Sequence, residues 1–196
     1  MDHEGAIKHI LNRLSSELPE HLSYHGKHHT ADVLEAVERI GSYLTISSEE
    51  MELLRVAAAY HDSGFIYSHL SHEEKGCEIA RNTLPNFGFT PERISEVETM
   101  IMATKVPQQP TGTLSDILCD ADLDYLGRDD FKIIADTLYK ELNHLGIMKT
   151  EQQWNTVQIG FLKEHSYHTM FGKTVRQPIK ETHLEELIKI VSSYNK

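Results

Sequence analysis

The sequence is poor in cysteine, poor in basic charge and without a long apolar run. Its two cysteines, Cys77 and Cys119, lie far apart and lack CxxC spacing, which excludes a disulfide framework and a cysteine-based zinc site. Nineteen Lys and Arg stand against thirty Asp and Glu, a net charge of −11. The basic excess that grips a nucleic-acid backbone is missing, so no nucleic-acid partner is expected, while a small phosphorylated ligand remains open to a local basic pocket. No apolar stretch approaches the roughly 18 residues of a membrane helix. The start, Met1-Asp2-His3-Glu4, is acidic where a secretion signal is basic. No membrane association and a cytoplasmic location are therefore the expectations.

What the chain has in quantity is histidine, thirteen residues in 196, with three in the stretch His25-Gly26-Lys27-His28-His29. That length supplies one substantial core, so residues 1–196 are expected to form a single compact domain. Its pattern is helical almost throughout, and strands are hard to find. Helices are predicted near 5–17, 28–44, 49–62, 72–84, 91–104, 113–126, 129–144, 151–166 and 181–193. Ser47 with Glu50 and Ser71 with Glu74 have capping-box spacing, and Thr90-Pro91 reads as an N-cap followed by proline in the first turn. Gly64, Gly88, Gly127 and Gly146 fall where C-terminal caps would stand. The one clear loop is Val106-Pro107-Gln108-Gln109-Pro110-Thr111-Gly112.

Three segments concentrate chemistry-bearing side chains. In Tyr24-His25-Gly26-Lys27-His28-His29-Thr30-Ala31-Asp32-Val33, His25 and His29 are four apart and share a face if the helix reaches back that far. That spacing suits a metal, with solvated surface histidines as the competing reading. In the second segment, Leu54, Ala57, Ala58 and His61 recur at i, i+3, i+4 and i+7, so the apolar stripe that faces a core also carries His61. A lone inward histidine is more often a hydrogen-bonded core residue than a ligand. Here, however, Asp62 follows it, and a buried aspartate needs a cation or several donors. One imidazole and one anionic oxygen together suit a divalent ion. The third segment, Cys119-Asp120-Ala121-Asp122-Leu123-Asp124-Tyr125-Leu126-Gly127, sets Asp122 beside a stripe of Leu118, Ala121, Tyr125 and Leu126. Taken alone, it reads as a solvated acidic turn.

In order, the three give H … HD … D, and on these residues the chain resembles the HD-domain metal-dependent phosphohydrolases, an all-helical superfamily that includes the cyclic nucleotide phosphodiesterases. Tyr24–Val33 is similar to the YHxxxHxxDV box of those phosphodiesterases, His61-Asp62 to the HD dyad, and Ala121-Asp122-Leu123 to their closing AD motif. The likeness covers about residues 20–130 and leaves a helical C-terminal part, 129–196, without a ligand motif. It implies an all-α HD-type fold with His29, His61, Asp62 and Asp122 as metal ligands. It also implies a catalytic role for Asp62 and a leaving-group proton donor at His25. The cofactor would be Mn, Mg, Fe or Zn, among which the ligand types do not choose.

Departures narrow the resemblance. The dyad continues Ser63-Gly64 rather than with two acidic residues, which disfavours guanosine-tetraphosphate hydrolysis, and no GYP signature follows, which disfavours cyclic-di-GMP hydrolysis. Where dinuclear members offer another histidine pair, this chain reads Met102-Ala103-Thr104-Lys105, favouring one tightly held metal. His72 and Glu73 are candidates for the rim of the site, against a plain role in the first turn of a helix. Tyr24, Lys27, Arg128 and His165 are further candidates for substrate contact, and Lys163, Arg176 and Lys180 could add charge. The function expected is hydrolysis of a phosphoester in a small phosphorylated compound, a nucleotide first, by a metal-activated water, with a monoester, a cyclic diester and a pyrophosphate all open as the bond cut. The alternatives are a catalytically silent metal- or nucleotide-binding regulatory module and a helical interaction protein with a histidine-rich surface.

Overall fold

The structure, a computed structural model, describes residues 1–194. Those residues form nine α-helices and no strand, which meets the all-α expectation: α1 His3–Glu17, α2 Lys27–Leu44, α3 Ser48–Tyr60, α4 His72–Thr83, α5 Pro91–Ala103, α6 Thr113–Asp122, α7 Phe131–His144, α8 Glu151–Glu164 and α9 Gln177–Ser193. Two predicted helices, 49–62 and 113–126, end early, at Tyr60 and Asp122. The chain then tightens into 3-10 turns at Ser63–Ile66 and Asp124–Gly127. The last helix begins at Gln177 rather than 181, with Pro178 in its first turn, where a fixed φ suits a helix start.

Local chemistry accounts for several of these boundaries. Ser47 caps α3 in the expected box: its hydroxyl accepts from the Glu50 amide, and the Glu50 carboxylate accepts from the Ser47 amide at 2.8 Å. Thr90 caps α5 through its side chain, ahead of Pro91. The Ser71–Glu74 box does not form. Ser71 sits at φ 56, ψ 39, which turns its side chain from the amides of α4, and Glu74 pairs with Lys105 instead. Gly88 and Gly146 occupy positive φ just past their turns, whereas Gly64 and Gly127 lie inside 3-10 turns and serve close approach. A Cβ on Gly64 would stand 1.9 Å from the carbonyl oxygen of His72, and one on Gly127 would stand 2.4 Å from that of Arg176.

Contacts group the described residues into two compact units, one of residues 1–20 and 25–122, the other of residues 21–24 and 123–194. In the first, α3 is the central helix. Leu53, Leu54 and Val56 through Tyr60 are all buried, and three consecutive alanines let neighbours close in on several sides. Helices α1, α2 and α5 pack on it, α6 lies against α2 and α5, and α4 against α5 and the turn Ser63–Ile66. The second unit gathers α7, α8 and α9 around Leu126, Phe131, Trp154, Leu162, Tyr167 and Leu187. There Asp124, 1% exposed, takes a two-pronged pair from Arg176, Nε to Oδ1 at 2.7 Å and Nη2 to Oδ2 at 3.1 Å. The alternating aspartates are thus no solvated turn, since Asp120 is buried as well. Among the described residues no helix is long and apolar enough to cross a membrane.

Candidate metal centre

Three helix ends of the first unit deliver the site. His29 is the third residue of α2 and Asp122 the last of α6. His61 follows α3 with helical backbone angles, φ −54 and ψ −43, and so keeps the inward position its spacing from Leu54 demands. Asp62 leaves the helix at φ −99, ψ 5, a bridge conformation common at active sites, and turns its carboxylate to the same point. His29, His61 and Asp62 are buried, and the Asp122 side chain is 16% exposed.

The donor atoms face one another. His29 Nε2 lies 3.0 Å from Asp122 Oδ1 and 3.4 Å from Asp62 Oδ2, and His61 Nε2 lies 3.4 Å and 3.3 Å from the same two oxygens. One ligand atom each from His29, His61 and Asp122 fall within 4.8 Å of one another. Two ligands each about 2.1 Å from an ion are separated by roughly 3.0 Å at a right angle and 3.4 Å at a tetrahedral angle, so these spacings fit a shared cation. Two orphans support the fit: His61 Nε2 and Asp62 Oδ2 are buried without a hydrogen-bond partner. The other ring nitrogen of His61, Nδ1, sits 2.7 Å from the Ala58 carbonyl oxygen. With the proton placed on Nδ1 to satisfy that bond, Nε2 presents its lone pair to the cluster. Two imidazoles and two carboxylates suit Mn, Mg, Fe or Zn. Neither cysteine competes: burial pushes the Cys77 thiol up to about 12 and raises Cys119 as well, so both stay protonated near neutrality.

The charges are set against one another. Burial alone would lower His61, but Asp62 and Asp122 outweigh it and hold its pKa well above the ordinary value. Burial likewise works to raise Asp62 and Asp122. The histidines win, holding Asp62 below the usual carboxylate range through His61, and Asp122 below it through His29 and His61. In the metal-free chain His61 therefore keeps a proton that a cation must displace. Its stabilising contribution is complete below about pH 6.5 and is lost as pH rises through the raised folded value. The contribution of the two aspartates is present above about pH 3.9 and lost on acidification. Raising the pH from 6 to 8 is thus expected to strengthen metal binding while weakening the metal-free fold. The gap in thermal midpoint between metal-loaded and chelated protein should widen over that range, and a constant gap would contradict this electrostatic account.

Around the cluster, the structure decides the condition set on His25. Helix α2 starts at Lys27, and Gly26 is extended at ψ 174, so His25 lies before the helix and shares no helical face with His29. Its ring stacks on Phe65 at 4.1 Å between centroids and stands 6.1 Å from that of His29. His72 stacks on Phe65, also at 4.1 Å, and its Nε2 lies 3.5 Å from Asp62 Oδ1 and from Glu73 Oε1. His72 and the buried Glu73 are thereby brought beside the dyad. Phe65, which the sequence reading passed over, touches both outer histidines. The available signal was an aromatic three residues after Asp62, between two histidine-rich stretches. Lys27 is exposed at the start of α2. The remaining candidates belong to the second unit. Tyr24 is buried with its ring edge-on to Tyr125, Arg128 grips Asp130 at 2.9 and 2.6 Å, and His165 ends α8 with Nδ1 3.2 Å from Lys180 Nζ.

Comparison with known proteins follows the same geometry. The model of the HD domain family matches residues 27–123, which hold all four clustered residues. No curated protein sequence matches the chain. A crystal structure of a predicted HD superfamily hydrolase from an uncultured Thermotogales bacterium is similar in fold, with a TM-score of 0.63 over 95% of this chain and 92% of that one. The two share 20% sequence identity, a level at which the likeness is one of fold.

Proposed function

The chain belongs to the HD-domain superfamily, and from that premise we propose that it is a metal-dependent phosphohydrolase whose substrate is a small phosphorylated compound of the nucleotide class. The observation that carries the reading is the meeting of His29, His61, Asp62 and Asp122 at mutual spacings of 3.0–3.4 Å, with two of their atoms buried and unbonded. A divalent cation held there would supply Lewis acidity, polarising a phosphoryl oxygen and making water a competent nucleophile near neutral pH.

The protein's own groups divide the remaining work. Asp62 stays ionised throughout the neutral range, so it acts as a ligand and not as an acid. His72, 3.5 Å from Asp62 Oδ1, orients that carboxylate. His25, half-buried and braced on Phe65, borders the cluster without being among its ligands, and it is the group assigned to protonate the leaving oxygen. Imidazole suits such a transfer near neutrality.

Two measurements test this. Metal analysis of untagged protein should give about one ion per chain. A phosphate-release screen over nucleoside mono-, di- and triphosphates, with cyclic nucleotides followed by chromatography, should then find a substrate. Full metal content without turnover on any of them would favour the silent regulatory module instead. His25→Ala is expected to retain the metal and lose roughly a hundredfold in turnover on alkyl esters, and less on aryl phosphates, whose leaving groups need no proton. Loss of metal in that variant would make His25 a ligand, and unchanged rates on both substrates would remove it from the mechanism.

A further inference from the structure

The first unit contains another cavity, of about 430 Å³, bordered by Arg13, Tyr67, Lys75, Glu78, Asn82 and Thr83. That volume lies within the roughly 300–1,000 Å³ usual for small-molecule sites. Tyr67 is 64% exposed, and its ring stacks on no other aromatic side chain among the described residues. It is held by its hydroxyl, which accepts from Arg13 Nη2 at 3.1 Å, an arrangement that fixes the ring while leaving it open to a ligand. Arg13 binds Glu17 through Nε and Nη2, both at 2.8 Å, so the N–H groups of Nη1 remain uncommitted among the described residues. Lys75 is tied down by an exposed pair with Glu78 one turn on, a contact that holds loosely and is easily exchanged for a stronger anion. The Asn82 side chain makes no hydrogen bond among the described residues.

A free aromatic ring, an open guanidinium edge, an exchangeable ammonium and an unused amide are complementary to one kind of molecule. We propose that this cavity binds a nucleoside monophosphate, with the base on Tyr67, the amide of Asn82 at the base edge, and the phosphate between Arg13 Nη1 and Lys75. Bases stack on aromatic side chains with little regard to identity, and the planar guanidinium fork matches phosphate oxygens. The proposal is independent of hydrolysis at the metal centre.

Photolabelling of the metal-loaded, full-length protein with 8-azidoadenosine 5′-monophosphate, followed by peptide mapping, tests it. Label is expected on the segment 67–83, with AMP displacing it and adenosine displacing it poorly. Arg13→Gln and Tyr67→Ala should each lower incorporation there by roughly tenfold, while Tyr67→Phe, which keeps the ring but not its tether to Arg13, should lose distinctly less. Thermal unfolding of each variant confirms that it is folded. Label confined to peptides carrying His29, His61 or Asp122 would overturn the proposal. So would undiminished incorporation in Arg13→Gln and Tyr67→Ala, equal loss in Tyr67→Phe, or displacement by adenosine as effective as by AMP.

Discussion

Replacing His61 with alanine is expected to take the metal content from about one ion per chain to near zero and to abolish phosphate release. The side chain is fully buried, its Nε2 has no hydrogen-bond partner and faces the Asp62 and Asp122 carboxylates, and its Nδ1 is anchored on Ala58, an orientation that suits a ligand. Losing an outer partner of a metal ligand typically costs 10–100-fold in affinity or activity, and losing a ligand itself should exceed that. The same substitution leaves Asp62 buried without its principal counter-charge, at a cost of about 3–5 kcal/mol, so folding must be checked alongside metal content. Asp62→Asn and Asp122→Asn are nearly isosteric and should lose metal while keeping the helical fold. Asp120→Asn is the control. It lies two residues, about 200° of helix, before Asp122 on α6 and should keep the ion. Full occupancy in His61→Ala and Asp62→Asn, measured by elemental analysis, would show that the cluster is not the metal centre. Loss in Asp120→Asn with retention in Asp122→Asn would shift the register of the closing ligand.

The parts of this site that were legible in the sequence are those encoded by spacing within one helix. Leu54, Ala57, Ala58 and His61 at i, i+3, i+4 and i+7 put His61 inward because α3 is regular, and helical backbone angles do persist one residue past its last turn. Caps at Ser47 and Thr90 were legible because they depend on residues three apart. What spacing could not carry is decided by distant chain. Spacing leaves open whether the helix reaches back to His25; the helix begins at Lys27, and the ring His25 stacks on, Phe65, is forty residues away in sequence. Ser71 has the right partner at the right interval, yet Glu74 pairs with Lys105, contributed by another part of the fold. Asp124 reads as solvent-facing until Arg176 is known to reach it.

Gly64→Ala is expected to damage stability and metal binding together, although Gly64 is neither a ligand nor at positive φ. A methyl group there would meet three backbone atoms of His72, the oxygen at 1.9 Å, the carbon at 2.7 Å and the Cα at 2.8 Å. Backbone at the head of a helix cannot rotate aside as a side chain can, so the turn Ser63–Ile66 and α4 must separate. That turn begins directly after Asp62 and carries Phe65, while α4 begins with His72 and Glu73, so separation withdraws the support on the outer side of the dyad. Overpacking of this kind typically costs about 1–3 kcal/mol, and a displaced helix start belongs at the upper end. For a chain of this length such a loss corresponds to a fall in thermal midpoint of roughly 6–12 °C. Gly160 supplies the contrast: it lies within α8 with nothing within 4 Å of where its Cβ would be. Gly160→Ala should therefore raise the midpoint slightly, by the roughly 0.5–1 kcal/mol that alanine adds in a helix interior. Metal titration followed by thermal unfolding of both variants separates the effects. An unchanged midpoint and metal affinity in Gly64→Ala would mean that α4 is not held against the dyad by the close approach at Gly64.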